Sequence, residues 1–171
     1  MKTLIVYATR HGAAEKCARL LADRLGGDVD VFDLKKVRTV DLSGYDAVVV
    51  GGSIHAGRVQ SRVKKFCEAH ADALLKKKIG LFICCMEEGD KAWKQFHEAF
   101  PARLVDQAAA KGLFGGAFDF DRMNWFEKTI IGKIAGVKES VCKINEPAVA
   151  EFADKMKSSV TVEAADSGAS S

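Results

Sequence analysis

The feature that most constrains this chain is an apolar run that ends at a polar, glycine-containing loop and resumes at helical spacing. The run covers residues 4–8, the loop covers residues 9–14, and the apolar positions that follow include Cys17, Leu21 and Leu25. A strand, a tight turn and an amphipathic helix form the first half of a β-α-β unit. The turn places backbone N–H groups at a helix N-terminus, where the helix dipole favours an anion such as phosphate. A turn of this kind also occurs without a ligand, so both interpretations stay open here.

Composition narrows the class of protein. The 171 residues are 48% hydrophobic and 29% charged, which is typical of one soluble globular domain. A net charge of +3, with no basic block interleaved with aromatic residues, argues against a nucleic-acid partner. The five cysteines lack the spacing of metal ligands and favour a reducing cytoplasm, so we expect no metal site. Neither a signal peptide nor a membrane-spanning run of about 20 apolar residues is predicted.

Strands and helices alternate along the rest of the chain. Further strands are predicted at residues 28–34, 45–52, 79–86 and 111–118, the last weakened by Gly115 and Gly116. Helices are predicted from Val59 onward and over residues 91–99, 124–135 and 146–158, whereas residues 103–110 fit a helical turn or a loop. The alternation predicts an α/β fold with a doubly wound, five-stranded parallel sheet, order 2-1-3-4-5, and helices on both faces. The domain is expected over residues 1–160, with a disordered tail at 161–171.

Ligands of doubly wound sheets bind outside the carboxyl ends of the strands, where the strand order reverses. Three loops occupy that edge in the predicted sheet: residues 9–14, 52–58 and 84–90. The first suits a phosphate, and the glycine-rich second loop lets a planar ring approach the backbone. No acidic cluster follows the first or third strand, which argues against a metal-dependent response regulator of the same strand order.

The first loop resembles the phosphate loop of the flavodoxin family, which follows a Thr/Ser-x-Thr-Gly-x-Thr pattern. Thr9 and Gly12 match this pattern, whereas His11 and Ala14 replace hydroxyl residues and Arg10 or His11 supplies positive charge. Residues 51–57, 115–118 and 124–128 are similar to the flavodoxin-like protoporphyrinogen oxidases, a family that uses FMN and passes electrons to menaquinone. This resemblance spans about residues 1–157. One departure is the short acidic loop at residues 87–90, where that family has a longer basic insertion.

The resemblance implies non-covalent FMN held by all three loops. The implied ligands are Thr9, Arg10, His11, Gly12, Ala13 and Ala14, then Ser53, Ile54, His55, Ala56 and Gly57, and finally Cys85, Met86 and Glu87. The hydroxyl of Thr9 would donate to the phosphate, or else it only caps the first helix. His55 is the candidate catalytic residue, because an imidazole beside the flavin stabilises its reduced anion or relays a proton. A solvated loop histidine is the alternative.

Charges elsewhere point to partners. Arg58, Arg62, Lys64 and Lys65 open a helix against the usual dipole preference, which suggests an anionic substrate such as a porphyrin propionate, or an acidic redox protein. The segment at residues 123–138 is basic and aromatic. It is either a core helix with a solvated basic rim or a helix that contacts the inner face of a membrane, which would bring the protein close to a quinone. The neighbouring Cys84 and Cys85 are expected to be buried core residues rather than a redox dithiol.

The leading interpretation is an FMN-binding, flavodoxin-like redox protein of the cytoplasm that transfers electrons to a partner protein or a quinone. One alternative is a protoporphyrinogen IX dehydrogenase that passes electrons to a quinone. Another is a flavin-free scaffold with a decayed phosphate loop, which the replacement of a hydroxyl residue of the pattern by Ala14 suggests.

Overall fold

A parallel sheet with apolar central strands forms the middle of the molecule. The computed structural model describes residues 1–118 and 141–158. The parallel strands are β1 (Lys2–Ala8), β2 (Asp28–Asp33), β3 (Ala47–His55), β5 (Lys78–Cys84) and β6 (Ala110–Leu113). They lie in the order β2-β1-β3-β5-β6, and a two-residue strand β4 (Arg58–Val59) pairs antiparallel with the end of β3. Apart from this added strand, the predicted 2-1-3-4-5 order is confirmed.

Helices cover both faces of this sheet and enclose two hydrophobic cores. On one face lie α1 (Ala13–Leu25) and the final helix α5 (Glu146–Lys157); on the other lie α2 (Ser61–Leu74), α3 (Gly89–Ala99) and α4 (Ala102–Gln107). Because successive strand residues point to opposite faces, Leu4 and Val6 belong to one core and Ile5 and Tyr7 to the other. This arrangement explains why the central strands lack a polar face.

The second predicted loop differs from its expected form. Strand β3 continues to His55, and Ala56 and Gly57 then turn the chain back into β4 with φ values of 50° and 77°. A two-residue turn with positive φ at both positions matches the twist of a β-hairpin. The prediction that a helix begins near Val59 is therefore wrong: Val59 lies in β4, and α2 begins at Ser61.

The fifth predicted strand is divided into two. β6 ends at Leu113, and Gly115, with φ of 78°, begins β7 (Gly115–Phe118). This strand pairs antiparallel with β8 (Val141–Ile144), which was not predicted from the sequence. Residues 103–110, for which the sequence fitted a helical turn or a loop, contain most of α4 and the first residue of β6.

The final helix forms as predicted. The side chain of Asn145 accepts a hydrogen bond of 3.1 Å from the backbone N–H of Ala148, and Pro147 lies in the first turn. The predicted helix at 124–135, the segment 123–138 and the tail at 161–171 lie outside the described residues. Within the described ranges, none of the helices combines the length and apolarity needed to cross a membrane.

Candidate functional site

The first loop is closed by hydrogen bonds between hydroxyl and backbone groups. The backbone N–H of Gly12 donates to Thr9 Oγ1 over 2.9 Å, and the hydroxyl of Ser53 lies 3.4 Å from the same oxygen as a donor. The backbone N–H of Arg10 donates to Ser53 Oγ over 3.3 Å. These bonds join the loop after β1 to the end of β3. Because Thr9 Oγ1 acts as an acceptor in both contacts, its own hydrogen can point to a ligand.

Helix α1 begins at this loop without a side-chain cap. Gly12 occupies the N-cap position with φ of 94°, and Ala13 and Ala14 form the start of the helix. A residue with a Cβ adopts such a φ only at a cost, which explains the glycine. Small side chains leave the first-turn N–H groups within reach of an anion, as the phosphate prediction requires.

Two histidines meet beside the loop. His11 is only 8% exposed, and its ring meets that of the half-buried His55 edge-to-face, with centroids 5.8 Å apart and planes at 71°. His55 is the last residue of β3 and pairs with Arg58 of β4. His55 thus belongs to a strand and is half-buried, whereas a solvated loop histidine was the alternative; its catalytic role stays a prediction.

The third loop contributes one buried and one exposed sulfur. Cys85 is 5% exposed, its Sγ lies 3.6 Å from the carbonyl oxygen of Glu87, and burial raises the pKa of its thiol. Met86 is 46% exposed, and its Sδ packs against Gly116 of β7, where a Cβ would collide with it. Gly116 is therefore the residue that lets the third loop and β7 approach each other.

The three predicted loops converge on one small cleft of about 50 Å³. Eight of the predicted cofactor residues line it: Arg10, His11, Ala13, Ser53, Ile54, His55, Cys85 and Met86. Cys84 and Gly116 also line it, although neither was predicted as a site residue; the 115–118 motif was the available signal for Gly116. Among the described residues, the lining carries the positive charge of Arg10 and two imidazoles and contains no carboxylate.

The remaining predicted residues are not among those that line this cleft. Thr9 and Gly12 belong to the first loop, Ala14 lies in the first turn of α1, and Ala56 and Gly57 form the exposed hairpin turn. Glu87 lines a neighbouring cavity of about 320 Å³ instead. Cys85, Met86 and Gly116 border both cavities, so the two spaces are adjacent.

The donor set fits the phosphate of a mononucleotide, and the larger of the two adjacent cavities has the size expected of a ligand pocket. An uncapped helix N-terminus, a hydroxyl and a guanidinium are the groups that bind phosphate. A cleft of about 50 Å³ is far smaller than the roughly 300–1,000 Å³ of typical ligand pockets, whereas the neighbouring 320 Å³ falls within that range.

Sequence and structure comparisons agree with this geometry. The model of the flavodoxin domain family matches residues 4–141. The chain belongs to the flavodoxin domain family. This family holds FMN at the strand-order switch point, so the predicted FMN cofactor and flavodoxin-like redox class are supported at the level of the family.

The predicted resemblance to the protoporphyrinogen oxidase branch is also confirmed. The chain is 36% identical over 139 residues to an Escherichia coli K12 protein named protoporphyrinogen IX dehydrogenase [quinone], with 77% of each chain covered. A flavodoxin from Streptococcus pneumoniae TIGR4 superposes with a TM-score of 0.59 at 21% identity, covering 92% of this chain and 98% of its own. Oxidised flavodoxin 1 from Bacillus cereus gives 0.58 at 17% identity, covering 94% and 100%. The two structural likenesses establish the fold.

The neighbouring cysteines are core residues, as predicted. Cys84 points into the core beneath α1, where its Sγ lies 3.4 Å from Sγ of Cys17, whereas Cys85 belongs to the core on the opposite face. The hydrogen bond with Cys17, together with burial, holds the pKa of the Cys84 thiol well above its ordinary value. A thiol that stays protonated is a poor nucleophile, which argues against a redox dithiol.

Proposed function

We propose that this chain is an FMN-dependent oxidoreductase that takes electrons from a porphyrinogen and passes them to a quinone. The observation that carries the proposal is the 36% identity, across 77% of both chains, to the Escherichia coli protein named for that reaction. The fold and the convergence of three loops at the switch point support a flavin site in the same place.

The first loop would hold the phosphate of FMN. The first-turn N–H groups of α1 and the hydroxyl of Thr9 would donate to the phosphate oxygens, and Arg10 would add positive charge. Ser53 would keep Thr9 in position, because its hydroxyl lies 3.4 Å from Thr9 Oγ1. His11 and Ala14 replace hydroxyl residues of the family pattern, and in this arrangement the backbone contacts to the phosphate would remain.

The second and third loops would border the ring. Ser53, Ile54 and His55 would line one side and Cys85 and Met86 the other. When bound, FMN supplies the two-electron chemistry that no side chain of the cleft offers. His55 would hold or deliver a proton at its ring nitrogen, and its edge-to-face contact with His11 would keep the imidazole oriented.

A plain electron carrier that docks a protein is the second candidate. The third loop supports it, because the exposed Met86 is followed by the acidic Glu87, Glu88 and Asp90. Exposed methionines are common on adaptable binding surfaces, and an acidic rim attracts a basic partner. This candidate shares the flavin site and differs only in the source and destination of the electrons.

Anaerobic mixing separates the candidates. Protein saturated with FMN is combined with protoporphyrinogen while the visible absorbance of the flavin is followed. Bleaching that a menaquinone analogue reverses is the expected result. Flavin that stays oxidised with protoporphyrinogen, yet is reduced by dithionite, would contradict the dehydrogenase and leave the carrier. Failure of the purified protein to take up added FMN would contradict both and favour a flavin-free scaffold.

A further inference from the structure

A third cavity, on the face of the sheet that α2 covers, is lined by positive charge on two sides. It measures about 570 Å³ and lies between the β2–β3 connection and α2. Lys35 and Arg38 stand on the connection, and Arg62 and Lys65 stand on the helix. All four are exposed, and none of the lining residues in the described ranges is a carboxylate. We call this cavity the basic groove.

The charges of the basic groove are not neutralised within the described part of the chain. The ion pairs found there involve none of the four cations. Asp33, the acid nearest to Lys35 in sequence, accepts a hydrogen bond from the backbone N–H of Lys35 rather than from its side chain. Two cationic walls that face one space repel each other unless an anion lies between them. The groove therefore suits a ligand with negative charge at two points.

The floor of the basic groove is apolar. Leu34 and Phe66 are buried there, with exposed fractions of 6% and 7%, and Val37 and Val40 pack against the same core. His70 lies on the ring of Phe66, with centroids 4.6 Å apart. A floor of this kind binds an apolar body that enters the groove. It does not suit insertion into a bilayer, because its apolar side chains are recessed rather than protruding.

The basic groove opens at the same edge of the sheet as the flavin loops. Leu34 directly follows β2, and its backbone N–H donates to the carbonyl of Tyr7 over 2.8 Å, two residues before Thr9. Arg62 lies in the first turn of α2, close in sequence to the β3–β4 hairpin. A ligand in the groove would thus lie on the edge of the sheet that the redox site occupies.

We propose that the basic groove binds a free dicarboxylate with a rigid apolar body, of the tetrapyrrole dicarboxylate class. The two cationic walls would each bind a carboxylate, and the apolar floor would contact the ring system. The choice of a tetrapyrrole rests on the proposed function, whereas the requirement for an apolar dianion rests on the groove alone. Of the four basic residues predicted at the opening of α2, only Arg62 and Lys65 line this groove; Arg58 and Lys64 line another cavity.

That division supplies a matched pair of variants. Lys64 and Lys65 are adjacent, exposed and on the same helix, and only Lys65 lines the groove. Binding of protoporphyrin IX, kept monomeric in a non-ionic detergent, is measured by equilibrium dialysis against the FMN-loaded protein. We expect saturable binding that Lys65→Glu and Arg38→Glu each weaken by about tenfold, whereas Lys64→Glu changes it less than about twofold. The dimethyl ester keeps the apolar body but lacks the two carboxylate charges. Its affinity for the parent protein should be no higher than the affinity of the free porphyrin for Lys65→Glu.

Equal affinities in all three variants, or no saturable binding, would overturn the proposal. The same would follow if Lys65→Glu reduced sedimentation with phosphatidylglycerol vesicles while porphyrin affinity stayed unchanged, because the groove would then meet a lipid surface. Failure here is distinguishable from failure of the proposed function. If protoporphyrinogen reduces the flavin but the groove variants bind porphyrin normally, only the groove proposal is rejected. If the groove variants weaken porphyrin binding but protoporphyrinogen does not reduce the flavin, only the dehydrogenase proposal is rejected.

Discussion

The ring of Phe82 occupies the space that a Cβ atom at Gly51 would need. The two residues are register partners on β3 and β5, and Phe82 is fully buried and stacked on Phe114 at 4.7 Å between centroids. The glycine is therefore a packing requirement of the sheet just before Ser53, and the position of the second loop depends on it.

Replacing Gly51 with alanine should lower the free energy of unfolding by about 1–3 kcal/mol, because the buried ring has no room to move. Urea denaturation measures the change. Gly44→Ala is the control, since a Cβ there meets nothing within 4 Å and its φ is not positive. Equal stabilities of the two variants would contradict this account of the contact.

Ala56 is the one non-glycine residue with positive φ in the described ranges, at 50°. Ala56→Gly should raise the free energy of unfolding by about 0.5–1 kcal/mol, because glycine adopts this conformation without steric cost. Gly57→Ala, at φ of 77°, should lower it by a similar amount. Thermal denaturation compares the two, and a destabilised Ala56→Gly variant would show that the turn is not strained.

Loss of the Thr9 hydroxyl should weaken FMN binding by roughly tenfold, because it removes the proposed phosphate donor and the acceptor of the Gly12 N–H. Titration followed by quenching of flavin fluorescence measures the dissociation constant for Thr9→Ala. Thr9→Ser keeps the hydroxyl and should bind within about threefold of the parent. If alanine and serine behaved alike, the loop would bind phosphate through its backbone alone.

The Tyr45 hydroxyl donates to Asp30 Oδ2 over 2.7 Å and connects the start of β3 to β2. This bond is the largest cause that lowers the pKa of Asp30 below 3.8 and raises the pKa of Tyr45 to about 12. The stabilisation by ionised Asp30 is therefore present above its ordinary pKa and lost as pH falls through the lowered value. Tyr45→Phe should be less stable than the parent at pH 7, with the difference shrinking below pH 3.8. A pH-independent difference would point to packing instead.

His55→Gln should slow flavin reduction by protoporphyrinogen, because it removes the imidazole proposed to hold or deliver a proton beside the flavin. FMN affinity should change by less than about threefold, because the proposal assigns the phosphate to the first loop. Stopped-flow rates of flavin reduction, with FMN affinity measured in parallel, provide the test. An unchanged rate would remove His55 from the proton transfer and leave it as part of the hairpin.

The strand order and the first loop were predictable because both depend on short-range patterns. Residues 4–25 contain an apolar strand, a glycine turn and an amphipathic helix in sequence, and each is visible from spacing alone. The β3–β4 hairpin was missed because alanine at position 56 gives no signal for a left-handed turn. The pairing of β7 with β8 joins segments distant in the chain, and no local pattern encodes such a pair.

Within the cleft, chemistry was easier to predict than burial. The positive charge of Arg10 and the positions of His55 and Met86 near the ends of strands followed from residue type and from the strand pattern. The burial of His11 depends on its contact with His55 across two loops, which neither loop specifies alone. The approach of Met86 to Gly116 likewise requires β7 to be in place.

Cys84 and Cys85 are neighbours in sequence and belong to different cores. Both thiols also line the cleft at the carboxyl edge of the sheet, so a labelling reagent reaches them through the cleft or through local opening of the helix layer above each thiol. When a bound ligand fills the cleft, only the second route remains. Unequal labelling rates in the bound protein would then rank the layer of α1 and α5 against the layer of α2, α3 and α4 by local stability, with no introduced probe.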